Sequence, residues 1–486
     1  MRREGAIHAY RPACALLLAF ATANAAEVAN AQQPDQTLLY DENGLKLRWH
    51  LQLGLNAVSE RNLYWNLAAT TSPQSDFDPV SHWLEGYVEP GLSFEWTPFG
   101  RSTFYGKLSS VGSYTAGTDA FDWSDTGRIT LEEAYLGYRV GSAEATGLDL
   151  SLGSRELKLG SGMLIANGGS SGFERGALKF GPRKAWKRAA FAHVYEDGFT
   201  ATPFFLQPNE LPSNDGHNKL AGGDLRYDAA AGGFLGLSYI NVLHSDSPYV
   251  KAPRGGVGPP TLLPRGRDGT NALNLYARTN PFSGAFRNWF LTGDFAYEWN
   301  RRVDLEAWGG RVQVGYAFSG LPWPTVLTYS FQTFSGDDPK TSRLERFDPL
   351  YYEGSPGAWA TGSKSSLVFI NSNIRAHEVS LRVQPTERDT VTLRYARILA
   401  NELGSPIQFG QATRLLNFGG AAYLISGVTE HHLSDDVFLE YGRTINPNTF
   451  LTAGVSMSVP GKGIRGVADG RTPNWVGGFV NAVVNF

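Results

Sequence analysis

The strongest signal in this chain is a hydrophobic period of two. Leu45, Leu47, Trp49, Leu51 and Leu53 alternate with Lys46, Arg48, His50 and Gln52. Leu92, Phe94 and Trp96 alternate with Ser93 and Glu95, and Val379, Leu381 and Val383 with Glu378, Ser380 and Arg382. Trp289, Leu291, Phe295, Tyr297 and Trp299 alternate with Thr292, Asp294 and Glu298, while Val437, Leu439 and Tyr441 face away from Glu440. The final stretch, WVGGFVNAVVNF, keeps Val476, Val480, Ala482 and Val484 on one side and Phe479 and Asn481 on the other. Such a period places neighbouring side chains on opposite faces of a strand with two environments. One segment alone also suits a buried core strand; the repetition carries the argument.

Reading every segment this way predicts strands near 45–57, 83–97, 102–114, 129–140, 148–159, 189–196, 199–207, 219–228 and 233–243. More follow near 271–279, 288–299, 303–318, 325–334, 375–384, 389–398, 435–443, 448–459 and 475–486. The connections alternate between short links such as TPFGR, DG, SGLPWP and TINPN and long ones such as 58–82, 160–188, 244–270, 335–374 and 399–434. A soluble sandwich has no reason to keep that alternation; a membrane barrel with short periplasmic turns and long outer loops does. The expected fold is all-β, a transmembrane antiparallel β-barrel of about 18 strands, closed so that no backbone group is left unpaired in lipid. The barrel should span 45–486, after a periplasmic segment at 26–44.

Composition supports this reading. Aromatic residues make up 13% of a chain with 56 glycines, which suits strands facing lipid on one side and water on the other. No apolar run is long enough for a spanning helix once the N-terminus is set aside. That N-terminus, with Arg2, Arg3 and Arg11 before an apolar stretch and Ala23-Asn24-Ala25, reads as a signal peptide over 1–25, with a second cleavage candidate at Ala31. The single cysteine, Cys14, lies inside it, so thiol chemistry and disulfides are not expected. A net charge of −3 gives no reason to expect a nucleic-acid partner. Trp96, Tyr138, Trp299, Trp323, Tyr441 and Trp475 sit near strand ends, as in interfacial aromatic girdles. The terminal Phe486 matches the signal by which outer-membrane barrels are passed to their assembly machinery.

Parity puts Lys46, Arg48, Glu85, Glu89, Lys107, Arg139, Arg155, Arg226, Asp294, Glu298 and Arg311 on the inner side. Glu378, Arg382, Arg394 and Glu440 join them, the last three as a candidate ladder across successive strands. Both signs of charge occur, so the wall reads either as a selectivity element or as solvated ion pairs. In LSLGSRELKLGSG the leucines change parity between Leu152 and Leu157, which predicts a bulge near Gly153 or Ser154 that aims Arg155 or Lys158 inward. The glycine-rich run 160–176 then forms a loop, turned inward or lying on the surface. In the long loop after 334, Phe347, Tyr351, Tyr352 and Trp359 have the character to stack on sugar rings. Asp337 and Asp338 have the charge to hold a cation, or simply the propensity to turn. No cysteine–histidine metal pattern or phosphate loop occurs, and no cofactor is expected.

Two stretches, ITLEEAYLGYRV with LDLSLGSRELKLGSGMLI, and YSFQTFSGDDPKTSRLERFDPLYY, resemble the alginate-export family of outer-membrane barrels over residues 80–486. The turn Ser335–Pro339 followed by Phe347-Asp348-Pro349-Leu350-Tyr351 is the most specific part. The resemblance implies a monomeric barrel that passes an anionic polysaccharide through a basic constriction gated by loops. Members commonly carry Gly-Arg-Gln where this chain has Gly153-Ser154-Arg155-Glu156, so Arg155 is the nearest match.

The leading expectation is therefore a non-enzymatic outer-membrane channel for an anionic polysaccharide or oligosaccharide, lined by Arg48, Arg139, Arg155, Lys158, Arg382, Arg394 and Glu440. The alternative is an uptake porin for small solutes. A third is a hydrolase using Gly168–Gly172 or the His431, His432, Ser434, Asp435 group, neither of which has a local nucleophile–base order. Outer-membrane lipid is the expected surrounding. The basic run Gly181–Arg188, containing Arg183, Lys184, Lys187 and Arg188, is a candidate contact for lipopolysaccharide phosphates or a solvated surface.

Overall fold

A computed structural model describes residues 37–486 except 72–75, 99, 170–171, 231, 280–285, 354–367, 410–416, 419–420, 423, 426 and 469. The expected signal segment lies outside the described residues. Eighteen long strands form one closed antiparallel sheet in sequence order. They are β1 (Leu45–Arg61), β2 (Val80–Trp96), β3 (Ser102–Gly117), β4 (Gly127–Gly141), β5 (Gly147–Arg155) and β6 (Trp186–Glu196). Next come β7 (Phe199–Gln207), β8 (Lys219–Asp228), β9 (Gly233–His244), β10 (Asn271–Thr279), β11 (Trp289–Asn300) and β12 (Leu305–Phe318). The last six are β13 (Thr325–Phe334), β14 (Ile374–Val383), β15 (Asp389–Ala400), β16 (His432–Asn446), β17 (Thr449–Pro460) and β18 (Trp475–Asn485).

Closure is made by β1, which pairs with β2 along its whole length and with β18 from Gln52↔Asn485 to Arg61↔Val476. The part of β1 that extends past the end of β18 is covered by a short strand, Leu38–Glu42, paired with Leu45–Arg48. Every long strand therefore has a hydrogen-bonded neighbour on both sides, which lipid demands.

The period of two sorts the side chains as the sequence predicts. Leu152 is 69% exposed on the outer wall while its neighbour Ser151 is 6% exposed inside. Leu108, Leu136, Leu275, Leu291 and Val455 likewise face outward, forming an apolar band that only a bilayer can cover without a large hydration cost. No helix among the described residues is long and apolar enough to cross a membrane; strands do the crossing. The turns at one end are tight. The β6–β7 hairpin turns on Asp197 and Gly198, both with positive φ (46° and 83°), the two-residue turn that matches strand twist. The other end carries the long loops and is called the outer end below.

The main apolar core lies inside the barrel, at the outer end. The described residues of loops 62–79, 156–185, 335–373 and 401–431 fold inward, so the described part of the glycine-rich run takes the inward of its two expected courses. Tyr64, Trp65, Leu157, Ile165, Phe173, Phe347 and Tyr351 pack there with Phe369, Phe409 and Trp475. Leu157 and Leu159 belong to this plug, which explains why their parity differs from that of Leu148, Leu150 and Leu152. Trp475 corrects the girdle expectation: it faces inward, 1% exposed, and donates its indole N–H to Glu60 at 2.6 Å. Trp96 and Trp323 do lie on the outside.

Candidate pore interior

Inward carboxylates on the wall hold the plug. Glu85 on β2 accepts the backbone N–H groups of Lys179 (3.1 Å) and Phe180 (2.8 Å). Glu132 on β4 accepts those of Lys184 (2.6 Å) and Ala185 (2.7 Å). Glu298 on β11 accepts the N–H of Asp348 at 2.8 Å. Loop backbone donors have no ladder partner of their own, so a buried carboxylate is both their acceptor and their anchor. Lys158 pairs with Glu353, joining the 156–185 loop to the loop after β13. Arg267 and Asp348 form a buried two-pronged pair, Nε to Oδ2 at 2.5 Å and Nη2 to Oδ1 at 2.9 Å. Burial works against the Arg267 charge, but the Asp348 carboxylate overrides it and holds the guanidinium above its ordinary range.

Glu132 is a residue that parity reasoning missed. Glu132 and Glu133 both point inward because β4 is bulged: the register with β3 shifts between Leu108 and Ser110, and Glu133 N–H meets the Ser109 hydroxyl at 3.3 Å. The signal was present in ITLEEAYL, where two charges in succession break the alternation. A register shift occurs at the expected place, but its extra residue lies on β6: Gly153 to Arg155 is a step of two where Ala189 to Trp186 is a step of three. The β5–β6 register shifts between Gly153 and Arg155, and a Cβ on Gly153 (φ 136°) would come within 2.2 Å of the Ala134 carbonyl oxygen.

Arg155 keeps the inward parity of Asp149 and Ser151 and lies at the base of the plug. Its guanidinium lies 4.4 Å from the Tyr135 ring centroid, 5.1 Å from Phe191 and 5.3 Å from Tyr105, and it donates to the Tyr105 hydroxyl at 2.9 Å. The Tyr105 hydroxyl in turn donates to Asp149. The inward row continues along β6 as His193 and Tyr195, ring to ring. Beside this seat, Lys107 pairs with Glu133, with Glu89 and Glu156 nearby. Arg139 lies toward the short-turn end and pairs with Glu95 at 3.6 Å. The three rings around Arg155 were not legible in the sequence, because they come from three strands and meet only through register.

The expected ladder is rearranged. Arg382, Thr392 and Glu440 share one cross-strand row, whereas Arg394 lies in the next row toward the outer end and pairs with Glu378 at 3.4 Å. Arg48 sits opposite Ser93 near the short-turn end. Arg155, Arg139, Arg382 and Arg394 thus occupy different levels and sides of the wall, and no single ring gathers them.

The loop candidates change role. Phe347 and Tyr351 are buried core residues with no face left for a sugar; the Tyr351 hydroxyl donates to Glu210 at 3.2 Å. Asp337 spends its two oxygens on the N–H groups of Ala252 (2.6 Å) and Glu345 (2.7 Å), and Asp338 caps the turn at Lys340. Among the described residues no group of three or more acidic, histidine or cysteine side chains is arranged for a metal. Trp359 lies outside the described residues. Within the basic run, Arg183 is buried and donates to Ser113 and to the carbonyls of Val111 and Arg128, so it is a plug anchor rather than a surface charge. Ser434 is buried on the inner face while His432 and Asp435 pair at 2.9 Å on the outer face, so the hydrolase grouping is split by the wall. Ser170 and Ser171 lie outside the described residues.

No family model and no curated protein matches the chain. Solved structures do match in fold. OccK5 (OpdH) of Pseudomonas aeruginosa is 10% identical at a TM-score of 0.50, covering 90% of this chain and 98% of that one. A BenF-like porin from Pseudomonas fluorescens Pf-5 gives 10%, 0.50, 90% and 98%, and Acinetobacter baumannii OccAB1 gives 10%, 0.50, 90% and 97%. At such identity the likeness speaks for the fold. The chain has the closed, eighteen-stranded barrel fold of bacterial outer-membrane porins. Its location is the bacterial outer membrane.

Proposed function

We propose that the chain is a passive outer-membrane channel for anionic solutes, with Arg155 as the main recognition point for a carboxylate. The carrying observation is the Arg155 seat: a guanidinium held among Tyr105, Tyr135 and Phe191 at the lower boundary of the plug. Aromatic faces fix the plane of the guanidinium without neutralising it, so its remaining N–H groups can pair with a carboxylate in two-pronged fashion. Small solutes are favoured over a polymer, because the outer half of the lumen is filled with packed side chains. The polysaccharide-export reading is supported by the motif resemblance, and it requires the plug loops to move aside.

Planar-bilayer recordings test the proposal. The native channel should show anion preference that Arg155→Gln reduces and Arg155→Glu reverses, and a monomeric uronate should reduce current at the native seat only. Cation preference unchanged in all three proteins would overturn it. Block by polyuronate without block by the monomer would favour the export reading.

A further inference from the structure

We propose that the outer-end rim of β13–β16 carries, on its lipid-facing wall, a binding site for the phosphorylated headgroup of an outer-leaflet glycolipid. The site depends on the barrel's position in the membrane and is separate from whatever crosses the lumen.

Register assembles it. Arg375 and Leu399 are cross-strand partners, as are His377 and Arg397, so the two arginines lie diagonally on adjacent strands, about 7–8 Å apart at the backbone. A bulge between Ile398 and Leu399 shifts β16 so that His432 stands beside Leu399 while Leu433 turns inward and is buried. The inward neighbours Ala376, Ile398 and Ser434 are buried too, which confirms that this set faces out. Two arginines and two histidines therefore share a small outer patch with one carboxylate, Asp435.

Asp435 is already engaged. It accepts the Tyr395 hydroxyl at 2.8 Å and lies 2.9 Å from His432 Nε2. Arg375 has no hydrogen-bond or ion-pair partner among the described residues. A guanidinium on a membrane-facing wall needs water or an anion, and a phosphate accepts its planar fork in matched geometry. Directly below, toward the apolar band, the phenols of Tyr329 and Tyr395 mark the interface, with Tyr329 hydrogen-bonded to His377 at 2.8 Å. Val379 stands between these tyrosines in the same cross-strand row, and exposed Leu381 and Leu393 come below. The vertical order of cation, phenol and aliphatic side chain matches a phosphate above acyl chains.

The test uses the full-length protein purified in detergent and native mass spectrometry. The probes are bisphosphorylated lipid A, the same lipid dephosphorylated, and inorganic phosphate alone. The native protein should retain the bisphosphorylated lipid at least tenfold better than the dephosphorylated one and should not retain inorganic phosphate. Arg375→Gln with Arg397→Gln should abolish that preference, whereas Arg388→Gln with Arg443→Gln, exposed basic residues at the short-turn end of the same strands, should leave it unchanged. A heat-modifiable gel shift confirms the folded barrel in each case; if the double variant does not fold, Arg375→Gln alone is read. Retention within twofold of native in the Arg375 variants, equal retention of the dephosphorylated lipid, or equally good binding of inorganic phosphate would overturn the proposal.

Discussion

The indole of Trp49 and the ring of Phe486 stack at the barrel seam, with centroids 5.8 Å apart and planes 27° from parallel. Trp49 belongs to β1 and Phe486 follows β18, so the stack ties the two strands that close the sheet. Backbone bonds flank it, with Leu51 N–H reaching the Phe486 carbonyl at 3.1 Å and Phe486 N–H reaching Leu51 at 2.9 Å. Just beyond, the strand Leu38–Glu42 takes over as the neighbour of β1.

Trp49→Ala should therefore weaken closure by the stacking energy, about 0.5–1.5 kcal/mol beyond lost area. The expected result is a lower temperature for conversion of the folded to the unfolded band on heat-modifiable gels. Trp96→Ala removes a similar pair with Phe104, 5.9 Å, away from the seam and serves as the control. Equal shifts in the two variants would remove any special role for the seam.

Replacing Glu85 and Glu132 together by Gln should loosen the 156–185 loop. Each carboxyl group accepts two loop N–H groups, and a hydrogen bond of this kind contributes about 0.5–1.5 kcal/mol net. Weakening these anchors shifts the loop equilibrium toward the open form. Single-channel conductance and open-channel noise should both rise, and unchanged traces would show that the loop is held by its apolar packing.

Asp119, in the loop after β3, gives the plug a pH dependence. Burial pushes its carboxyl up to about 7, against the pull of the Phe121 and Trp123 N–H groups that it accepts. The folded loop therefore holds a proton that the unfolded loop, titrating near 3.8, does not. Its contribution is fully present below pH 3.8 and declines as pH rises through about 7. Proteolysis of this loop should be slower at pH 5 than at pH 8 in the native protein, and the difference should shrink in Asp119→Asn.

Asp348→Ala leaves the Arg267 guanidinium buried without its carboxylate. Breaking a buried pair from one side costs about 3–5 kcal/mol. Hydrogen exchange should show the loop after β13 opening at least a hundredfold more often, with the barrel strands unaffected. Exchange at the native rate would mean that Arg267 has found another acceptor.

Much of the architecture was readable because strand character is a local property. Leu150 and Leu152 against Asp149 and Ser151 declare two faces from side-chain spacing alone, and Asp197-Gly198 declares its turn from backbone preference. The change of face expected at Gly153 does not occur: Leu157 points inward because it keeps the parity of Asp149 and Ser151, and the extra residue of the register shift sits on β6. Phe347 and Asp337 were misread because a loop has no period: an aromatic side chain or a carboxylate there looks alike whether it meets solvent or a plug.

The amino-acid order by itself determined the strand count, the alternation of short and long connections, and which side chains face lipid. Tertiary structure alone decided that the outer half is filled, that Arg155 sits among Tyr105, Tyr135 and Phe191, and that Arg394 pairs with Glu378. The physical reason is distance along the chain. Facing is set by each residue's immediate neighbours, whereas the Trp65 indole meets the Ser458 carbonyl and Glu60 meets Trp475 only after the sheet has closed. Contacts of that span follow from register summed around the whole barrel, which no short stretch of sequence contains.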